Sequence, residues 1–196
     1  YHLKPSEELY KVLSNTTVDL LTVQDSLGRF TTYIDELKCW DMWGRKYIIT
    51  SLLYFSRICK DPILKEKVLT AVKRHADYIL ENVGDNEGQI GILKTSDYWG
   101  GLNSASICET FVDLYKTTKE EKYLNFAKYI LSTGGCRDAN LLELALDNKK
   151  APFEYPVKKA YEMMSFFEGC LEYYTVTKEE KYLVAFKNFI NKVKET

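Results

Sequence analysis

A pattern that occurs twice sets the strongest limit on how this chain can fold. Leu114-Tyr115-Lys116-Thr117-Thr118-Lys119-Glu120-Glu121-Lys122-Tyr123-Leu124 is matched by Tyr173-Tyr174-Thr175-Val176-Thr177-Lys178-Glu179-Glu180-Lys181-Tyr182-Leu183, with Thr118 and Thr177 standing 59 positions apart. Each copy sets a Thr three residues ahead of a Glu, Thr118 with Glu121 and Thr177 with Glu180. That is the spacing of a capping box, so each copy predicts a tight turn between antiparallel helices. A fainter copy runs through Leu53-Tyr54-Phe55 and Lys60-Asp61. A repeat of about 60 residues is too long for the ~34-residue tetratricopeptide unit and fits two helices of about 18 residues plus a long connection.

Apolar residues recur at helical spacing along almost the whole chain. Leu9, Val12, Leu13 and Leu20 share one face of a helix predicted over 6–25, where Ser6 precedes Glu7 and Glu8 as an N-cap with acids set against the helix dipole. The pattern breaks at Gln24–Phe30 and resumes from Asp41 to Ile58; Asp61-Pro62 then opens a helix that runs to Asn82 and stops before Gly84. Further helices are predicted at 103–116, 120–132, 141–148, 157–175 and 179–194. Short turns thus alternate with long connections at 26–40, 84–102 and 133–156. In an α/α toroid the inner helices line a bowl, the long connections form its functional rim and the short turns gather at the opposite end. The expected fold is all-α: antiparallel helical hairpins, about four of them, forming an incomplete toroid.

Composition narrows the partners. With 196 residues and 45% hydrophobic content, the chain reads as one domain over 1–196 whose core needs no disulfide or metal. The formal net charge is -1 and Lys and Arg alternate with Glu, so no basic face for nucleic acid is expected. No apolar run approaches the ~18 residues of a membrane span. Cys39, Cys59, Cys108, Cys136 and Cys170 are odd in number and never pair at zinc or redox spacing. They read as reduced and mostly buried, which favours a cytoplasmic location, although any signal peptide would precede Tyr1. The chain opens on Tyr1 without a Met and stops at Thr196 directly after a helical pattern, which reads as a fragment of a larger toroid. Self-association through the open end would cover its helix faces. No cofactor is expected in this chain.

Chemistry concentrates in Thr95-Ser96-Asp97-Tyr98-Trp99-Gly100-Gly101-Leu102-Asn103-Ser104. A sugar stacks its C–H face on aromatic rings while its hydroxyls need paired donors and acceptors, and this motif supplies both. The same residues also suit an aromatic loop that seals a helical core. Trp40 and Trp43, three apart at a helix start, either present one aromatic edge to the bowl or pack the rim. Arg45 and Lys46 sit one turn inward, where cations can hold an acidic sugar or a hydroxyl, or pair with Asp41 at helical spacing. Carboxyl groups near the presumed rim are the groups that acid–base chemistry at a bound sugar would need. The candidates are Asp25, Asp41, Asp97 and Glu162, with Asp25 and Asp41 equally suited to turn and cap roles and Glu162 to an ion pair with Lys159. His75, beside Lys73 and Arg74, reads as a packing or surface residue. Phosphate-cradling glycine loops, a Gly-x-Ser-x-Gly elbow and His-Glu-x-x-His are all missing from the sequence.

Trp40-Asp41-Met42-Trp43-Gly44-Arg45-Lys46-Tyr47, Arg74-His75-Ala76-Asp77-Tyr78-Ile79, the Thr95–Ser104 motif and Lys159-Ala160-Tyr161-Glu162-Met163-Met164 appear in this order along the chain. Together they resemble the β-L-arabinofuranosidase-like glycoside hydrolases of family 127 and its relatives. The resemblance implies an (α/α)6 toroid and hydrolysis of terminal sugars from plant-type or other complex glycans. It also implies a cysteine thiolate nucleophile near a zinc ion in the full-length parent, in a part of the toroid to which no position here corresponds. Where relatives carry histidines on inner helices, this chain reads Gly44-Arg45-Lys46, Asn103-Ser104 and Lys158-Lys159. An ammonium only donates while a neutral imidazole donates and accepts, so the bound hydroxyls differ. The expectation is one wall of a sugar-binding bowl built from Trp40, Trp43, Arg45, Lys46, Asp97, Trp99, Asn103, Lys159 and Glu162, with catalytic residues beyond Thr196. A non-catalytic carbohydrate-binding or scaffold module of stacked hairpins, and a lyase or epimerase on the same toroid, are the alternatives.

Overall fold

Helix ends fall where local chemistry puts them. In the computed structural model, which describes residues 4–194, Ser6 accepts a hydrogen bond from the Leu9 amide at 3.2 Å to open α1 (Glu7–Thr22). Asp61 accepts from the amides of Ile63 and Leu64 to open α3 (Pro62–Asn82), with Pro62 at a position that needs no donor. Between them lies α2 (Asp41–Ile58). The remaining helices are α4 (Leu102–Ala105), α5 (Cys108–Thr118), α6 (Glu121–Ser132), α7 (Leu141–Asp147), α8 (Ala160–Thr177) and α9 (Glu180–Lys194). Among the described residues there is no strand, only an isolated bridge between Val83 and Ile90. The fold is all-α, as the periodicity predicts.

Two expectations need correction. The helix expected over 103–116 is two, because the Ile107 amide bonds the Ser104 carbonyl and the Thr110 amide that of Ile107, each three residues back, and the Ser106 hydroxyl donates to the Asn103 carbonyl at 2.6 Å. The threonines at the tight turns are also not N-caps. Thr118 and Thr177 donate back to the carbonyls of Leu114 (2.9 Å) and Tyr173 (3.0 Å) and accept from the amides of Glu120 and Glu179 at 3.3 Å. Each turn reverses on a left-handed lysine, Lys119 (φ 62°) or Lys178 (φ 61°). Tyr115 and Tyr174 then clasp Glu121 and Glu180 at 3.2 and 3.3 Å. The repeat in sequence is thus a repeat in hydrogen bonding.

The hairpins α2–α3, α5–α6 and α8–α9 stand side by side, with α1 against α2 and α3 and α7 against α9. Within them α2, α5 and α8 adjoin one another as an inner layer, with α4 wedged between α2 and α8. α2 and α8 start after long connections and α5 directly after the short α4 that follows one, and all three end at a short turn. The core between the layers includes Ile49, Leu53, Val72, Phe111, Ala127, Phe166, Phe167 and Phe189, each at most 1% exposed and, for the larger side chains, worth roughly 1.5–3 kcal/mol of burial. Phe167 stacks on Phe189 with ring centres 4.0 Å apart. Gly169 lets α5 and α8 touch, since a Cβ there would lie 2.9 Å from the Cβ of Cys108.

The open face of the inner layer carries a ladder in the same register. Arg57 of α2 pairs with Asp113 of α5, and Lys116 of α5 pairs with Glu172 of α8. Both cations and both acids are separated by the repeat offset, 57 to 116 and 113 to 172. These residues line one open cleft of about 300 Å³ along with Thr50, Tyr54, Glu109, Thr110 and Glu168. Elsewhere, Phe153 and Met164 stand exposed beside an apolar groove with Pro152, Ala160 and Phe189, at the edge formed by α8 and α9.

Candidate functional site

The connection before α2 is tied down by charge. Asp25 accepts from the amides of Leu27 (3.0 Å) and Arg29 (2.8 Å) and pairs with the Arg29 side chain, a turn that holds its carboxyl below the usual carboxylate range. Arg29 also pairs with Glu36. Arg45, 1% exposed, bonds Asp41 at 2.9 Å and Glu36 at 2.5 Å. Asp41 accepts in addition from the Thr31 hydroxyl (2.6 Å) and the Leu37 amide (2.8 Å). The guanidinium groups of Arg29 and Arg45 sit 5.5 and 5.3 Å from the Tyr78 ring centre. Buried His75 accepts from the Phe30 amide at 3.1 Å through Nδ1, and burial, with the nearby Arg45 charge, pushes its pKa down to about 3. Asp25, Asp41 and Arg45 are therefore struts of this loop.

The Thr95–Ser104 motif closes on itself. Thr95 donates to Ser104 at 2.8 Å in the interior. Gly101 takes φ +84°, and a Cβ there would fall 2.3 Å from the Leu93 carbonyl oxygen, so only glycine fits the crossing. Trp99 adopts a left-handed backbone (φ 48°), as does Cys39 (φ 57°) just ahead of Trp40. Strain of this kind is stored where it aims a side chain. Here it aims two indoles at each other: Trp40 meets Trp99 at 5.3 Å between ring centres, Tyr98 at 5.5 Å and Trp43 at 5.7 Å. Trp43 continues to Tyr47 (5.4 Å) and Tyr161 (5.3 Å), whose hydroxyls share a 2.6 Å hydrogen bond. Six rings from two loops and two helices form one edge at the mouth, with Tyr47, Tyr98 and Tyr161 exposed.

Polar groups lie among and beneath these rings. The Lys159 ammonium sits 4.6 Å from the Trp99 ring centre. Lys46, buried on α2, pairs with Glu109 of α5 at 2.7 Å and donates to Ser165 of α8 at 3.1 Å. Asn103 donates to the Cys39 carbonyl at 2.9 Å, while its Oδ1 is buried with no partner among the described residues. Glu162 is 2% exposed and its Oε2 is likewise unpartnered. Burial and the Tyr161 hydrogen bond, with the carboxylates of Glu109 and Glu162 nearby, push the Tyr47 pKa up, so this hydroxyl stays protonated.

Of the residues singled out from sequence, Trp40, Trp43 and Trp99 share one aromatic cluster, with Lys46 and Lys159 in cation–π contact with it. Asn103 is tied to the residue before Trp40, and Glu162 adjoins Tyr161. Asp97 is fully exposed and faces Arg137 at 3.7 Å. Arg45 lies apart from the rings, inside the loop. Glu162 and Lys159 form no ion pair with each other among the described residues. Tyr98 is legible in the sequence as a ring of the Thr95–Ser104 motif, whereas Tyr47, Tyr161, Glu109 and Glu168 are not singled out there. Tyr47 was signalled by its i,i+4 spacing from Trp43, and Glu109 with Glu168 by their separation of 59, the repeat offset.

Among the described residues no group of three or more His, Cys, Asp or Glu side chains is placed to hold a metal ion, and the five cysteines are free. Burial pushes the thiols of Cys108 and Cys170 well up, away from thiolate chemistry. No helix is long and apolar enough to cross a membrane among the described residues.

Helical hairpins with an inner layer, short turns at one end and long connections at the other define the class: an incomplete α/α toroid. A family model described as the β-L-arabinofuranosidase, GH127 catalytic domain, matches residues 1–196, and the chain belongs to this family. A solved structure described as the GH127 β-arabinofuranosidase BT3674 has the same fold, with a TM-score of 0.70 at 16% sequence identity. The match covers 97% of this chain and 31% of that one, so the chain spans about a third of its length. No curated protein matches the chain.

Proposed function

We propose that this chain forms one wall of the sugar-binding bowl of a glycoside hydrolase acting on terminal sugars of complex, plant-type glycans, with the bond-breaking groups outside the chain. The observation that carries this reading is the six-ring edge at the mouth, with two buried acceptors, Asn103 Oδ1 and Glu162 Oε2, unpartnered nearby. A sugar ring stacks on Trp40, Trp43 or Trp99 through its C–H face. Both lysines near the rings are already engaged, Lys46 by Glu109 and Lys159 by Trp99. Family membership supports the hydrolase assignment, and in the printed description of BT3674 the activity is that of a β-arabinofuranosidase.

Tryptophan fluorescence during titration with arabinofuranosides and with other pentosides and hexosides tests the reading. A saturable shift with at least one sugar, abolished in Trp43→Ala and Trp99→Ala, is the expected result. A flat response to every sugar from a folded protein would overturn it.

A further inference from the structure

The cations near the mouth differ in what they meet. Arg45 is neutralised by Asp41 and Glu36 inside its loop, and Lys46 by Glu109 at 2.7 Å. Lys159, half-buried at the residue before α8, forms no ion pair among the described residues, and its ammonium lies 4.6 Å from the Trp99 ring centre. A ring face attracts an ammonium without cancelling its charge, and it leaves donors of that ammonium unused. Of the two lysines at the rings, Lys159 is therefore the one that can still take a counter-charge. The start of α8 does not supply one: the Lys159 side chain makes no cap bond, and the first backbone bond of the helix runs from the Met163 amide to the Lys159 carbonyl. The positive end of the helix adds to the ammonium. The carboxylates that oppose it are Glu162, 2% exposed and turned to the interior, and Asp97, fully exposed and facing Arg137 at 3.7 Å.

We propose that the sugar taken at the mouth is acidic, a uronate rather than its neutral counterpart, and that Lys159 selects it by pairing with the carboxylate while the sugar ring stacks on the neighbouring indoles. The proposal rests on the reading of the mouth as a sugar site. Trp99 is 5.3 Å from Trp40, and Tyr161, two residues on from Lys159, is exposed and 5.3 Å from Trp43. An anion held by Lys159 thus lies against aromatic faces, which favour the C–H surface of a sugar. A sugar that carries its own carboxylate satisfies both at once. The lysine stem is flexible, so the ammonium can lean from Trp99 toward the carboxylate and keep its apolar carbons on the indole. Arg45 and Lys46 are the cations that the sequence offers for an acidic sugar, and because both are neutralised the role passes to Lys159. No bond is made or broken by this residue; it contributes affinity and the choice of sugar.

Titration of the chain with two matched pairs of methyl glycosides, galacturonide with galactoside and glucuronide with glucoside, tests this. The members of each pair differ only in a carboxylate against a hydroxymethyl group. The expected result is a preference of about tenfold for the uronide in at least one pair, the scale of one charge-assisted hydrogen bond. That preference should shrink as salt is added, fall to near one in Lys159→Met and survive in Lys159→Arg. Lys159→Met keeps an apolar stem on Trp99, so the ratio of the two affinities reports the charge, and a melting curve checks that each variant folds. Equal or weaker binding of the uronide in both pairs, or a preference that persists in Lys159→Met, overturns the proposal and leaves the sugar site standing. If the folded chain binds none of these glycosides and no arabinofuranoside, the sugar reading and the proposal fall together.

Discussion

At the short-turn end, Thr118–Glu121 and Thr177–Glu180 make the same hydrogen bonds on the same left-handed lysine, and the Arg57–Asp113 and Lys116–Glu172 pairs repeat beside them. At the mouth nothing repeats. The loop before α2 hangs on Asp41 and Arg45, the loop before α4 on Gly101 and Thr95, and their aromatic rings meet only because both loops are in place. Local chemistry suffices for the first end, whereas the second depends on contacts between residues distant in sequence. The same hairpin framework therefore separates a self-contained scaffold from a surface free to vary.

Substitutions at the two ends should differ in kind as well as in size. Arg45→Ala leaves Asp41 buried without its guanidinium and Glu36 held by Arg29 alone, and should cost about 3–5 kcal/mol in chemical denaturation. A loss under 1 kcal/mol would show that the mouth loops do not depend on this strut. Acid should act on the same region. His75 has a folded pKa depressed to about 3, so its contribution is present above the unfolded value of 6.5 and lost as pH falls from there toward 3. Glu109 has the opposite sign: its contribution is complete below 4.5 and lost as pH rises toward 7. Stability profiles of His75→Gln and Glu109→Gln should each lose one limb. Gly101→Ala should cost at least ~1–2 kcal/mol from the left-handed backbone alone, with the overlap on Leu93 added, and calorimetry reads it directly. Trp99→Ala should weaken sugar binding about tenfold or more while moving stability far less than Arg45→Ala. The smallest effect belongs to the repeated end: Lys119→Gly and Lys178→Gly should each gain about 0.5–1 kcal/mol by removing the strain of φ near 60°, and by equal amounts if the two turns are equivalent.

This contrast also decides what could be read from the sequence. The bounds of α2 and α3 follow from Asp41, Ile58, Asp61 and Pro62, because caps and breaks act within a few residues. The turn residues were located correctly, but the role of Thr118 was not, since a threonine hydroxyl serves the helix behind it as readily as the one ahead. For Arg45 the i,i+4 partner Asp41 was visible, yet Glu36 and Tyr78 complete its surroundings from outside the helix. The Tyr47–Tyr161 bond and the Cys39–Asn103 contact join positions far apart in sequence, and no local period encodes them.

Gly169 adds a different lesson. The curvature of a toroid accumulates from the angles between successive inner helices, and here one of those angles rests on a side chain of a single hydrogen. A methyl group at that position would push α5 from α8 against Cys108, opening the wall and flattening the bowl. The spacing of the inner helices is thus a trait that one codon can tune without altering any of the six rings at the mouth.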